Sequence, residues 1–281
     1  MLKPHLRNDS YQQFGVADVP SSASDDWTPA APVLPPVDIP AKYKPYLVDW
    51  RFLPEHVLLA KDTLRHGIVH LGAAMAASRL TRPVWRRAFR GAMVPPVLAA
   101  GRLFIHIPKT GGTSICANLY GRNLPHATAS FWREIYGTEI AGVPSFAVLR
   151  EPLERLKSAY RFIKYGGTDV IAVSRYDMFR LRGADTFDQF VEHLHRHPKL
   201  LTTITTLQSQ ADFVFDAQGD LIVDRLFRME GGRMPDDLNR WLGIEALPRL
   251  NRSSVEPIQM SDVTVRRVEQ LYARDFALFH G

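Results

Sequence analysis

The chain has 281 residues, of which 46% are hydrophobic and 23% charged, so it can bury one full core and a small appendage. This composition excludes a chain that is disordered throughout. The net charge of +6 favours an anionic partner, and the single cysteine, Cys116, excludes an internal disulfide.

Three segments differ in composition along the chain. Residues 1–48 carry many prolines among polar residues, which predicts an extended arm. Apolar residues in 49–99 recur at helical spacing, as at Val57 and Leu64, which predicts helices packed on the rest of the protein. Residues 100–281 alternate apolar strand patterns with helical ones. This alternation predicts an α/β domain with a parallel sheet flanked by helices.

Five arginines with no acid among them crowd a short part of the helical extension: Arg79, Arg82, Arg86, Arg87 and Arg90. Two interpretations are open, a solvated helix face or a dock for an acidic acceptor or a membrane surface. No nucleic-acid motif accompanies these arginines, so we expect no nucleic-acid partner.

The longest mostly apolar stretch, residues 67–78, is too short for a membrane-spanning helix and includes His70. The amino end lacks the basic-then-apolar pattern of a signal peptide. We therefore expect a cytoplasmic protein, with peripheral membrane contact through Arg79 to Arg90 as the alternative.

A short apolar strand, Leu103 to Ile107, leads into a loop that is suited to a phosphate. The loop residues are Lys109, Thr110, Gly111, Gly112, Thr113 and Ser114. The glycines let the backbone approach an anion, the helix that follows presents free N–H groups, and the lysine adds a positive charge. A Walker loop places its lysine after the glycines, whereas Lys109 precedes them. The loop therefore predicts nucleotide binding and disfavours an ordinary ATPase or GTPase.

A second strand-to-helix junction follows where the apolar run Ser145 to Leu149 ends. Arg150 then lies at the carboxyl end of a strand, and Pro152 fits the first turn of a helix. The Arg150 guanidinium can fork onto an anion, and Ser158, about two turns along the helix, can donate its hydroxyl. Two such junctions predict a ligand with two separate phosphates.

On these residues the chain resembles the sulfotransferases that use 3′-phosphoadenosine 5′-phosphosulfate (PAPS), in particular the carbohydrate-type sulfotransferase family 2. In that family a Pro-Lys-Thr-(Ala/Gly)-Gly-Thr-Ser loop grips the 5′-phosphosulfate, and an Arg-(Asp/Asn)-Pro-x-x-Arg-x-x-Ser-x-Tyr segment grips the 3′-phosphate. The resemblance implies 5′ contacts from Lys109 to Ser114 and 3′ contacts from Arg150 and Ser158. One departure is Glu151, where the family has Asp or Asn, and we expect little consequence because an acid suits a helix start.

The resemblance covers roughly residues 100–281 and implies a P-loop NTPase-like sulfotransferase fold. It also implies PAPS as the co-substrate, no metal, and a hydroxylated acceptor such as a glycan or glycolipid. The expected cytoplasmic location fits a bacterial member of that family better than the membrane-anchored Golgi members.

Sulfuryl transfer needs a base for the acceptor hydroxyl and a positive group for the leaving phosphate oxygen. Lys109 is the candidate for the second task. His126 is the candidate base because it lies between the two phosphate motifs, and relatives carry a histidine in this interval. The alternative is that His126 caps a helix starting near Ala129, with Glu134 and Glu139 as reserve bases.

Two other functions stay open. A kinase-like P-loop phosphotransferase would need a magnesium-binding acid after a later strand, and Asp224 is the only acid near such a position. A non-catalytic nucleotide-binding or membrane-surface protein is the other. Among the remaining residues, we expect Cys116 and His106 to be buried. Trp132 is expected either to line an acceptor cleft or to pack in the core.

Overall fold

A computed structural model of the chain describes residues 93–167, 173, 175–229, 236–244, 247 and 257–281. The predicted arm, most of the helical extension and the Arg79 to Arg90 segment lie outside these residues. The described end of the extension, residues 93–100, is helical, and its Val94 and Val97 are buried in the core. This short segment packs on the rest of the described protein.

Three parallel strands form a sheet in the order β1, β2, β3, namely Leu103–Ile105, Ser145–Arg150 and Arg225–Met229. Phe104 of β1 pairs with Phe146 of β2. Every residue of β1 and the first five residues of β2 are buried. Because successive side chains of a strand point to opposite faces, helices must cover both faces of this sheet. The predicted α/β class with a parallel, helix-flanked sheet is confirmed.

Helices fill the intervals between and after the strands. They are α1 (Gly112–Tyr120), α2 (Ala129–Tyr136), α3 (Pro152–Lys164), α4 (Arg175–Arg180), α5 (Phe187–Arg196), α6 (Leu200–Thr203), α7 (Ala211–Val214), α8 (Asp236–Leu242), α9 (Asp262–Leu271) and α10 (Ala273–His280), with a 3₁₀ turn at Thr205–Leu207. Side-chain caps explain several of the starts. Thr186 and Gln189 form a capping box at α5, and the Ser261 hydroxyl accepts from the Thr264 N–H at α9.

The apolar side chains form two buried clusters. The first surrounds the sheet and takes side chains from α1, α2, α7 and α8. The second lies among α3, α5 and α9. Leu149 of β2 belongs to the first cluster and Leu156 of α3 to the second, so Arg150 lies where the two clusters meet.

Across the helices that the structure describes, none is long and apolar enough to cross a membrane.

Candidate functional site

The loop after β1 has an unusual backbone. Gly111 is the N-cap of α1 with a φ of 77°, and Lys109 has a φ of 69°, the only positive value at a non-glycine residue in the described part of the chain. Holding a lysine in this left-handed region costs about 1–3 kcal/mol, so the surroundings must enforce the conformation. Thr110 helps to do so, because it is fully buried and its hydroxyl donates to the Ile107 carbonyl at 3.0 Å.

The second glycine of the loop serves packing. A Cβ added to Gly112 would overlap the His106 imidazole and lie 2.9 Å from Cε1 of Phe104. From the sequence, both glycines are expected to provide backbone freedom and a close approach to the ligand. Gly111 has the positive φ, whereas Gly112 lets α1 start directly against the His106 ring.

Lys109 and Arg150, from the two predicted phosphate motifs, come together at the carboxyl edge of the sheet. The Arg150 Nη1 donates to the Lys109 carbonyl oxygen at 3.3 Å. The Lys109 ammonium lies 3.9 Å from the centroid of the Phe162 ring. Burial, and next the nearby Arg150 charge, lower the pKa of Lys109 to about 8, and burial lowers the pKa of Arg150. Two partly desolvated cations in one place favour an anionic ligand.

Gln210 fixes the backbone of Arg150. The Arg150 N–H donates to Gln210 Oε1 at 3.0 Å, and Gln210 Nε2 donates to the Arg150 carbonyl oxygen at 2.8 Å. Gln210 is fully buried. None of the site residues predicted from the sequence is Gln210. A buried amide that satisfies both backbone groups of one residue holds that residue in a single orientation.

The start of α3 differs from that of α1. Pro152 occupies the first turn as predicted, and the Glu151 carboxylate accepts from the Leu153 and Glu154 N–H groups at 3.2 and 2.7 Å. The Glu151 carboxylate therefore occupies this helix N-terminus, so the binding of a ligand anion here depends on Arg150. Ser158 lies two turns into α3 and is nearly fully buried. Its contact with a phosphate stays a prediction.

His126 is tied to the end of β1. Its Nδ1–H donates to the His106 carbonyl oxygen at 2.7 Å, and the two imidazole rings lie 4.1 Å apart between centroids. With the proton on Nδ1, the lone pair of the neutral ring is on Nε2. The alternative, that His126 caps α2, is wrong, because the N-cap is Thr128, whose hydroxyl accepts from the Phe131 N–H at 3.1 Å.

His106 and Cys116 are buried as predicted. The His106 Nδ1–H donates to the Leu124 carbonyl oxygen at 2.9 Å, and the Cys116 sulfur lies 3.7 Å from the same nitrogen. Burial and the neighbouring His126 lower the pKa of His106 to about 3, while burial raises the pKa of Cys116 to about 12. His106 is therefore neutral and Cys116 a thiol, and neither is poised for proton transfer near pH 7.

The other aromatic and acidic candidates lie elsewhere on α2 and beyond it. Trp132 is a core residue with 1% of its surface exposed, so it does not line a cleft. Glu134 lies on the exposed side of α2, and Glu139 follows the helix and accepts from the Thr138 hydroxyl at 2.9 Å. The bond to the His106 carbonyl holds the His126 ring close to the end of β1, just before the loop that begins at Lys109.

Asp224 lies at the opposite edge of the sheet. Its Oδ2 accepts from the Ser145 N–H at 2.7 Å and from the Ser145 hydroxyl at 2.6 Å, where β2 begins. A strand of this length separates that edge from Arg150 by about 17 Å. Asp224 is therefore not placed to hold a magnesium ion at the loop, which removes the residue that the kinase-like alternative needs. Within the described ranges, no three His, Cys, Asp or Glu side chains gather as a metal site.

A groove of about 590 Å³ lies between the start of α2, the α7 segment and Arg274 of α10. Thr128, two residues after His126, lines one part of it, and Asp212, two residues after Gln210, lines another. Phe215 and Arg274 also line it, and the Arg274 Nη1 donates to Asp212 Oδ1 at 2.8 Å. The groove therefore offers charged hydrogen-bonding groups and one aromatic ring.

Comparison of the chain with protein-family models, curated proteins and solved structures finds no match, so the function is inferred from the site itself.

Proposed function

We propose that the protein is a PAPS-dependent sulfotransferase that transfers a sulfuryl group to a hydroxyl of an acceptor. The meeting of Lys109 with Arg150 is the observation that supports this function. The two cations come from separate strand-to-helix junctions, and the Arg150 guanidinium contacts the Lys109 backbone. A nucleotide that carries anionic groups on both sides of its ribose suits two such cations.

In this proposal the loop from Lys109 to Ser114 holds the 5′-phosphosulfate and Arg150 holds the 3′-phosphate, with Ser158 as a second donor. The N–H groups of Gly112 and Thr113 begin α1 at the positive end of the helix dipole, and the glycine N-cap places no side chain over them, so an anion could bind there. The fold is then a P-loop NTPase-like sulfotransferase fold, and the motifs given above for the sulfotransferase resemblance support it.

The chemistry assigns one step to each of two residues. The acceptor oxygen attacks the sulfur in line, while its proton passes to Nε2 of His126. The bond between sulfur and the 5′-phosphate oxygen breaks, so adenosine 3′,5′-bisphosphate leaves with new negative charge on that oxygen. The Lys109 ammonium stabilises this charge.

The groove lined by Thr128, two residues after His126, suits a hydroxylated acceptor, which we take to be a carbohydrate or glycolipid. The Asp212 and Arg274 side chains can bind hydroxyl groups, and the Phe215 ring can pack against the apolar face of a sugar. Contact with a membrane through Arg79 to Arg90 would bring a glycolipid acceptor close, and it remains a proposal of the same kind.

A ligand-selectivity experiment tests the donor site. Thermal unfolding of the full chain is measured with adenosine 3′,5′-bisphosphate, with adenosine 5′-monophosphate and with ATP plus magnesium. We expect the bisphosphate to stabilise most, because only it places a phosphate at Arg150. Arg150→Ala should remove about 1.5–3 kcal/mol of bisphosphate binding free energy, and the exposed Arg133→Ala should change little.

An equal shift with ATP plus magnesium would contradict the two-phosphate site. Sulfuryl transfer is then followed with labelled PAPS and a panel of simple sugars and glycolipids. Selective bisphosphate binding without transfer to any of them would favour the non-catalytic nucleotide-binding protein.

A further inference from the structure

Asp275, in the first turn of α10, is an acid with none of its surface exposed. Its carboxylate accepts from the Gln210 N–H at 2.9 Å, from the Ala211 N–H at 3.0 Å and from the Ser209 hydroxyl. Its Oδ2 also lies 3.7 Å from Nη2 of Arg155, which is equally buried. Burying two charges is costly unless each is paired and hydrogen-bonded, so this arrangement points to a specific structural task.

One arm from Asp275 leads to the 3′-phosphate contact. The carboxylate fixes the backbone at Gln210, and the Gln210 side chain holds both the N–H and the carbonyl of Arg150. All of the groups along this arm are buried or half-buried. The backbone position of Arg150, from which its side chain extends, therefore depends on Asp275 through a single intervening residue.

The other arm leads to the phosphate loop. Arg155 donates to the Pro108 carbonyl at 3.4 Å and to the Gln208 carbonyl at 2.6 Å. Pro108 directly precedes Lys109, whose positive φ has to be enforced by its surroundings. The arms meet again where the Arg150 guanidinium donates to the Lys109 carbonyl, so the connections form a closed ring.

We propose that Asp275 is a positioning residue that holds the two phosphate contacts, the Lys109 loop and Arg150, in one frame. The inference rests on the proposed function only for the identity of the ligand. Neither Asp275 nor Arg155 touches the nucleotide. They set the spacing of the two cations, and with it the preference for a nucleotide with phosphates on both sides of the ribose.

The test separates this positioning role from a contribution to stability alone. Asp275→Asn leaves Arg155 as a buried cation without its counter-ion, so the variant should unfold more easily than the wild type. Adding Arg155→Met removes the stranded charge. Replacing both partners of a buried ion pair often changes the free energy of unfolding very little. The double variant should therefore regain stability while the Pro108 anchor is lost.

We expect the double variant to bind adenosine 3′,5′-bisphosphate about tenfold more weakly than the wild type or worse. Arg267→Met is the control, because it removes another interhelical ion pair, with Glu192, on α9 and α5. Wild-type affinity in a double variant of restored stability would overturn the proposal. Gln210→Met covers the case in which the double variant does not fold, because it leaves the Arg155 and Asp275 pair in place.

Gln210→Met should lower the ratio of bisphosphate affinity to adenosine 5′-monophosphate affinity by about tenfold, since it frees Arg150 and leaves the loop anchored. An unchanged ratio would overturn the first arm of the ring.

A second measurement does not need a nucleotide. The pKa of Lys109, followed through its reaction with an amine acylating reagent across a pH series, should return towards the ordinary lysine value in the double variant. If the wild type binds neither adenosine 3′,5′-bisphosphate nor adenosine 5′-monophosphate, the proposed function is wrong. A rise in the Lys109 pKa in the double variant would still support the positioning role. An unchanged Lys109 pKa would contradict the positioning role whatever the ligand is.

Discussion

Lys109 is a residue at which stability and binding oppose each other. Its ammonium is partly buried near a second cation, so at pH 7 the folded state bears a charge that the unfolded chain solvates better. We expect Lys109→Met to raise the free energy of unfolding at pH 7 while it weakens bisphosphate binding. Denaturant unfolding with and without ligand measures both effects, and the exposed Lys199→Met is the control.

The pH dependence of that difference has a definite sign. The folded pKa of Lys109 is about 8, below the ordinary lysine value, so above pH 8 the unfolded chain binds more protons than the folded one. The wild type therefore gains stability from this group as the pH rises, and the advantage of Lys109→Met should shrink between pH 8 and pH 10. A constant difference over this range would show that Lys109 titrates normally.

His126 is the residue whose loss should separate binding from chemistry. His126→Ala removes the proposed base but none of the predicted phosphate contacts, so transfer should fall by about 100-fold or more with bisphosphate affinity unchanged. His195→Ala, on the exposed end of α5, is the matched control. Near-normal turnover of His126→Ala would pass the role to Glu134 or Glu139.

At the scale of elements, the start of α1 depends on the space between Gly112 and the His106 ring. Gly112→Ala should lower the free energy of unfolding by about 1–3 kcal/mol, because the new methyl group overlaps that ring. Chemical denaturation of Gly112→Ala, His106→Ala and the double variant tests this. The double variant should lose less than the sum of the single losses. Gly111→Ala is the contrast, since its cost comes from a positive φ and His106→Ala should not relieve it.

The elements divide clearly into those that the sequence predicts and those that it does not. Pro152, for example, predicts the start of α3. The strand at β1 ends two residues earlier than its apolar run, because Ile107 is buried without pairing to β2. Local patterns record spacing along the chain, so they mark elements better than the contacts between them.

The parts of the site that the sequence missed are contacts over long separations. Gln210 meets Arg150 and Asp275 meets Gln210, each across about sixty or more positions. The local sequence around a glutamine or an aspartate does not predict a hydrogen-bond partner sixty positions away. The loop from Lys109 to Ser114 and the Arg150 junction are singled out by the sequence because each lies within a single turn of backbone.

For the whole molecule, the site joins two buried clusters, since α1 belongs to one and α3 to the other. Adenosine 3′,5′-bisphosphate at ~100 times its dissociation constant should raise the free energy of unfolding by about 2.7 kcal/mol. Amide hydrogen exchange should slow in both clusters, because one ligand contacts elements from each. Protection confined to the α1 side would show that the ligand does not reach the Arg150 side.

The reactivity of Cys116 can be used to measure how often the start of α1 opens. It is the one thiol of the chain, fully buried on α1 against the His106 ring, and burial raises its pKa to about 12. A thiol-reactive dye therefore reports only those moments when α1 lifts away from β1 and admits the reagent. The rate at which the dye labels Cys116 in the wild type measures the frequency of these openings. A nucleotide bound at the loop should lower this rate.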